Sequence, residues 1–414
     1  MKPLLFIHTA DLHLDSPFKG LAHLPESLLK QIHESSFNSF RKMIDIALEH
    51  NVDFIIISGD LYDNENRSLK AQLFLRKEFA RLDQRDIPVF IIHGNHDHLS
   101  GDWVTITWPK NVHVFSNELE CKRWVNRNGT SVHLYGFSYQ EREVFERKID
   151  HYKKVDGADY HIGLLHGQEQ NMTGHNPYAP FHWSELEEKE FDYWALGHIH
   201  KLTKLKPTIF YSGNILGRHR KETGKKGCLL VELNDSKEVS TEFIETAPLI
   251  WETIELSINK ITSAEQFFTY CDQSIDEIRM KNGSYMLHLN FSGEGPAAEV
   301  LEEKVQMDEW IEHVNSDQGY NNTFVWISSY ENNTKKKWDI QQLLQQEDFL
   351  GDITRVTEHL AESSPEDIKE VLKELYGHRK AKQFLQPLND DEYEKLLQDG
   401  RDLILKELLK EWGS

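Results

Sequence analysis

The 414 residues predict an α/β protein that continues into a small α+β unit and ends in a helical tail. Three observations predict it. Over residues 1–250, short uninterrupted apolar runs alternate with longer stretches of helical period. Runs that are apolar throughout suit strands covered on both faces, and the alternation suits a packed sheet core flanked by helices. Over 251–335 a strand–helix–strand–helix–strand order fits a compact α+β unit, and over 336–414 the spacing is helical only.

The elements follow in order. Pro3–Thr9 is an apolar run ending in polar residues and reads as a first strand. It is too short for the apolar region of a signal peptide, and no small-residue cleavage site follows it. Residues 27–50 place Leu28, Ile32, Phe40, Met43, Ile44 and Leu48 on one helical side. Val52–Ser58 is a continuous apolar strand, Leu69–Leu82 a helix and Pro88–Ile92 a third buried strand. Further strands are expected at 112–115, 131–137, 160–165, 192–196, 208–213, 227–233 and 240–246, each bounded by turn residues. In the second unit Glu252–Ile258, Tyr285–Phe291 and Phe324–Tyr330 read as strands, and Ala264–Met280 and Ala297–Val314 as helices. The polar stretch Asn332–Lys337 suits a linker. In the tail, Ser364-Pro365-Glu366-Asp367 has the N-cap, first-position proline and first-turn acids of a helix start.

Composition excludes several classes. With 39 % apolar and 11 % aromatic residues the chain has the material for a large core, which a disordered or fibrous chain lacks. No run approaches the ~18 apolar residues of a membrane span. Cys121, Cys228 and Cys271 are odd in number and far apart, so they form neither a disulfide framework nor a zinc knuckle. A cytoplasmic protein is expected. The net charge of −21 divides into −5 over residues 1–250 and −16 over 251–414. An acidic chain is a poor general partner for nucleic acid, but local patches decide contacts. One segment reverses the trend. Lys201, Lys204, Lys206, Arg218, Arg220, Lys221, Lys225 and Lys226 face a single acid, Glu222.

Five short stretches at the ends of expected strands carry the chemistry: Asp11-Leu12-His13, Gly59-Asp60-Leu61-Tyr62-Asp63, Gly94-Asn95-His96-Asp97, His166-Gly167 and Gly197-His198-Ile199-His200. Loops at strand ends of α/β folds project side chains into a common crevice. Carboxylate, imidazole and amide oxygen together suit divalent ions such as Mn²⁺ better than thiolate-loving ones. Two such ions ~3.5–4 Å apart can activate water and clamp a phosphate oxygen. Each motif alone is weak, since Gly-Asp is often only a turn and a buried His is more often a core residue than a ligand. Their joint occurrence in this order is specific.

That order resembles the calcineurin-like metallophosphoesterase superfamily. His8-Thr9-Ala10-Asp11-Leu12-His13-Leu14 and Gly197-His198-Ile199-His200 are similar to the SbcD and Mre-type DNA repair nucleases, within them to the YhaO-like exonucleases of Gram-positive bacteria. The motif resemblance covers residues 1–250. It implies a four-layer α/β/β/α sandwich, a cap domain at 251–335 and a helical tail at 336–414 that grips an SbcC-like ABC ATPase. It implies two divalent ions, usually manganese. Asp11, His13 and His200 would hold one, Asn95, His166 and His198 the other, with Asp60 bridging them. His96 would face the phosphate as acid/base or transition-state group, oriented by Asp63. The implied activity is 3′-to-5′ exonuclease on duplex DNA and endonuclease on single strands. Homodimerisation would use 68–83 and Trp103–Trp108.

The basic segment after His200 reads either as a solvated loop or as a phosphate track in which Arg218, Arg220 and Lys221 contact DNA. In the tail, Tyr393, Leu396, Leu397, Leu403, Ile404, Leu408 and Trp412 recur at helical spacing. This amphipathic stripe packs on its own chain or on the ATPase. Two alternative functions are a small-molecule phosphodiesterase or phosphatase on the same scaffold, and a mainly structural DNA-end tether. Protein phosphatases of the superfamily follow the second Asp with Arg-Gly, whereas Asp63 is followed by Asn64-Glu65.

Overall fold

The computed structural model describes residues 3–361 except 19, 22–23, 64–66, 102–103, 105, 173–176, 317–322 and 337–339. Beyond 361 it describes 372–380, 385, 388–389, 392–393, 395–400 and 403–404. The helix start at Ser364, and Asn64, Glu65, Trp103, Leu408 and Trp412, lie outside the described residues. Residues 1–335 form one compact unit and 336–414 another.

Along the first unit the elements run β1 (Leu4–Thr9), α1 (Glu26–Glu49), β2 (Phe54–Ser58), α2 (Leu69–Asp83), β3 (Val89–Ile92), β4 (Val112–Val114), β5 (Glu120–Val125), β6 (Ser131–Gly136), β7 (Tyr160–His166), α3 (Trp183–Glu188), β8 (Tyr193–Gly197), β9 (Thr203–Lys206), β10 (Ile209–Tyr211), β11 (Gly227–Leu233) and β12 (Val239–Glu245). Then come β13 (Leu249–Ser257), α4 (Ala264–Arg279), β14 (Ser284–Glu294), α5 (Ala298–Glu302), α6 (Lys304–Ser316) and β15 (Val325–Lys335). The second unit holds α7 (Ile340–Leu344) and α8 (Phe349–Ala361).

Two six-stranded sheets, ordered β12-β11-β1-β2-β3-β4 and β5-β6-β7-β8-β10-β9, carry the fold. Strand alternation explains how they stack. Phe6, Phe54, Ile56, Phe90 and Ile92 point one way and meet Leu134, Ile162, Leu164, Tyr193 and Phe210 of the other sheet in a buried inter-sheet layer. Ile7, Ile55, Ile57, Val89 and Ile91 point the other way, onto Leu28, Phe40 and Met43 of α1 and Leu75 and Phe79 of α2. The outer face of the second sheet, with Tyr135, Leu165, Trp194, Leu196 and Tyr211, is covered by Leu186 of α3 and by loop residues such as Tyr178. The result is the expected four-layer α/β/β/α sandwich, its last layer thin. Among the described residues no helix is long and apolar enough to cross a membrane.

The smaller sheet β13-β14-β15 is parallel throughout. Phe267, Cys271, Leu301 and Trp310 of its helices cover one face. Trp251, Met286 and Trp326 of the other face join the core beneath α1.

Several sequence expectations need correction. β5 and β9 are edge strands of mostly half-exposed residues, without the apolar run that marks a buried strand. The short helix α3 is likewise absent from the sequence expectation. The single helix expected at 297–314 is two, broken at Glu303 with ψ 79°. The polar stretch expected to be a linker is strand as far as Lys335. Its backbone completes a parallel ladder with β14, and Asn333 donates to Asn290 Oδ1 at 2.8 Å. Trp108, half-buried, packs edge-on against Phe79 of α2 at 5.4 Å, which leaves the expected dimer surface untested.

Candidate metal centre

The carboxyl ends of β1, β2, β3, β7 and β8 converge where the two sheets meet. The loop after β1 runs beside the loop after β2, because the N–H groups of Asp11 and His13 donate to the carbonyls of Gly59 and Asp60, both at 3.0 Å. Asp11, His13, Asp60 and His198 all have positive φ, at 52°, 40°, 55° and 99°. Left-handed backbone is costly for such residues and concentrates at functional sites. Glycines supply the clearance. A Cβ on Gly94 would lie 2.4 Å from Asp60 Oδ1, and one on Gly197 only 1.9 Å from the Ser58 carbonyl oxygen. Asp97, wholly buried, brackets the third loop by accepting from the N–H of Leu61 at 2.9 Å and of Gly94 at 2.7 Å.

The structure brings most of the expected donors together. Donor atoms of Asp11, His13 and His200 lie within 4.8 Å of one another, as do those of Asp11, Asp60 and His166. Asp60 stands between the groups, with Oδ2 3.7 Å from His13 Nε2 and 3.4 Å from His166 Nε2. Asn95 Oδ1 lies 3.0 Å from His166 Nε2. His198 sits at the margin. Its ring centroid is 5.3 Å from that of His166 and its N–H donates to Asp11, but it joins neither group. A third group joins His13 to Asp63 and His96, residues expected to act on the phosphate rather than to ligate.

The donor chemistry fits divalent ions. His200 gives Nδ1–H to Glu222 Oε1 at 2.6 Å, and His166 gives Nδ1–H to the Ser58 carbonyl at 2.9 Å. With Nδ1 so engaged, each ring has Nε2 left to offer inward, a tautomer set by the bonding partner; an ion there would take the place of the proton that the carboxylates otherwise hold on His166. His13 Nε2 and His200 Nε2 lie 3.2 Å apart, an approach that two lone pairs make only around a proton or a cation. Among the described residues, none hydrogen-bonds the buried His13 Nδ1. Asp11 and Asp60 are both 1 % exposed. Burial raises the pKa of Asp11. For Asp60 burial works the same way, but His166 overrides it and holds the carboxyl well below its ordinary range. Burial alone would depress His166, yet Asp60 and Asp11 lift it to about 9. Two buried carboxylates thus demand positive charge here, and a divalent ion supplies it most compactly.

Beside the donors lies His96, with Nδ1 3.3 Å from Asp63 Oδ1. Burial opposes its protonation, but the bond from Asp63 and the charge of Asp60 raise its pKa. Asp63 would be raised by burial, but its bonds with His96 and Ser16 hold it well below the carboxylate range.

Part of the basic segment is used within the fold rather than left at the surface. Arg218, 17 % exposed at its side chain, reaches Asp63 Oδ2 at 3.3 Å and Glu222 Oε1 at 3.4 Å. Lys226 is buried and donates to the His200 carbonyl at 2.8 Å. Lys206 lies over the Trp183 ring. Arg220 and Lys221 are exposed and stand outside the donor cluster. Sequence reasoning misses Glu222 and Ser16, and gives Asp97 a place in the third motif but no role; for Glu222 the signal available is that it is the lone acid among eight basic residues.

Residues 4–202 match the calcineurin-like phosphoesterase family. The chain is 37 % identical over 411 residues to "Uncharacterized metallophosphoesterase YhaO" of Bacillus subtilis (strain 168), covering 98 % of each chain. It is 28 % identical to the DNA double-strand break repair protein Mre11 of Methanocaldococcus jannaschii, over 62 % of this chain and 73 % of that one. It is 25 % identical to the protein of the same name from Sulfolobus acidocaldarius, over 90 % of this chain and 98 % of that one.

Proposed function

The chain belongs to the calcineurin-like phosphoesterases, metal-dependent hydrolases of phosphoesters, and from that premise we propose that the phosphoester it cleaves is the phosphodiester of DNA. The observation that carries this is the extent of the likeness to a DNA double-strand break repair protein, which spans 90 % of this chain. It runs past the catalytic half into the smaller sheet and the tail, parts that a small-molecule phosphodiesterase does not need.

Asp11, His13 and His200 would hold one ion, and Asn95, His166 and His198 the other, with Asp60 shared. Manganese suits this oxygen and imidazole set. The bound ions supply Lewis acidity and water activation. The chain's own residues do the rest. His96, kept protonated by Asp63, gives its proton to the departing sugar oxygen. Exposed Arg220 and Lys221 hold the backbone beyond the scissile phosphate. The activity would be 3′-to-5′ on duplex ends and endonucleolytic on single strands. The partner would be an SbcC-like ABC ATPase, met by the tail through Leu396, Leu403 and Ile404, which are 45 %, 61 % and 40 % exposed. A homodimer would use α2, which exposes Leu69 and Leu73.

The test compares hydrolysis of end-labelled duplex DNA with that of a small chromogenic phosphodiester, both with manganese. Preferential cleavage of DNA is expected. Turnover of the small ester with intact DNA would overturn the proposal.

A further inference from the structure

Glu222 is 8 % exposed, and both of its carboxylate oxygens are engaged. Oε1 accepts from His200 Nδ1 at 2.6 Å. Oε2 accepts from Asn214 Nδ2 at 3.0 Å and from the Arg218 N–H at 2.8 Å. The loop that carries it is fixed on both flanks. Trp251 Nε1 donates to the Gly217 carbonyl at 3.0 Å, and the Gly224 N–H donates to the Trp251 carbonyl at 2.9 Å. A Cβ on Gly217 would lie 2.5 Å from the Glu222 carbonyl oxygen, so the chain passes here without slack.

We propose that Glu222 is a positioning residue for the metal centre, holding the proton of His200 on Nδ1 and aiming Nε2 at the space shared with His13 and Asp11. It thereby sets the affinity of the ion on that side and not of the other. The inference rests on His200 being a ligand. The asymmetry is visible in the acceptors. His166 is held by a neutral carbonyl, that of Ser58, whereas His200 is held by a carboxylate. A carboxylate makes an imidazole the more basic donor, and losing such an outer partner typically weakens metal binding by ~10–100-fold.

The test is calorimetric titration of manganese into the metal-stripped full chain, for wild type, Glu222→Ala, Glu222→Gln and His200→Ala. A thermal melt of each stripped protein checks folding. Glu222→Ala is expected to weaken one of two binding events by ~10–100-fold and leave the other unchanged. Glu222→Gln keeps an acceptor but loses the charge, and a smaller loss in the same event is expected. His200→Ala should weaken that event at least as much. If His200→Ala leaves both events unchanged, His200 is not a ligand and the proposal falls with that reading. If His200→Ala weakens one event and folded Glu222→Ala weakens neither, the ligand stands and the positioning role is overturned. Equal weakening of both events in folded Glu222→Ala also overturns it. Should the alanine variant fail to fold, Glu222→Gln decides, and wild-type affinity in it overturns the role.

Discussion

Oδ1 of Asp63 lies 3.3 Å from His96 Nδ1, while its other oxygen accepts from Ser16 Oγ at 2.8 Å and from Arg218 Nη1 at 3.3 Å. The carboxylate is thus pinned from one side and free to orient the imidazole on the other.

A pH dependence follows. The raised pKa of His96 means that its protonated form persists above the ordinary value and is lost as pH rises through the raised one. Asp63→Asn removes the hydrogen-bonded carboxylate, so the proton leaves at lower pH. The alkaline limb of the pH–rate profile is expected to move to lower pH. An unmoved limb would detach Asp63 from His96.

His96→Asn removes the acid while leaving the donor groups around Asp11 and Asp60 in place. A loss of ~10²–10⁴ in rate is expected, with manganese stoichiometry unchanged by elemental analysis. Loss of an ion would make His96 a ligand, as its distance to His13 and Asp63 would allow.

Gly197→Ala tests the clearance at the joint between the sheets. The new Cβ meets the backbone oxygen of Ser58, which cannot rotate away. Destabilisation at the upper end of roughly 1–3 kcal/mol is expected from urea unfolding. Wild-type stability would show that the strands part easily.

His8 is fully buried, with Nδ1 2.9 Å from the Tyr193 hydroxyl, and burial pushes its pKa down to about 3. A histidine depressed by folding binds its proton first in the unfolded chain. Its contribution is whole above the unfolded pKa of 6.5 and is lost as pH falls toward 3. From pH 7.5 to 5 the loss is about 2 kcal/mol. The difference in unfolding free energy between wild type and His8→Gln should shrink by that amount. A constant difference would contradict it.

Arg220→Glu with Lys221→Glu should weaken DNA binding and flatten its salt dependence, by about 1 in slope for each phosphate no longer neutralised. An unchanged slope would return both residues to a solvated loop.

The residues that converge at the site were legible because each follows a short apolar strand and stands beside a glycine or another such residue. Asp11, His13, Asp60 and His200 carry that local signature. Glu222 does not, since its meaning comes from a fold-back onto His200 that spacing alone cannot express. Arg218 looked like a surface cation because charge in a sequence carries no depth. The main strands were readable from unbroken apolar runs, whereas β5 and β9 bury only part of each residue and leave no such run. At β15 composition misled, because an edge strand paired on one side can be polar and still complete its ladder.

Trp251 has a mechanical consequence. It is rooted in the first strand of the smaller sheet, yet its indole and its backbone both grip the short loop that bears Arg218 and Glu222. One aromatic ring is the rod between two gears. The loop it grips bears both Glu222, bonded to His200, and Arg218, bonded to Asp63, so one anchor serves the two sides of the centre at once.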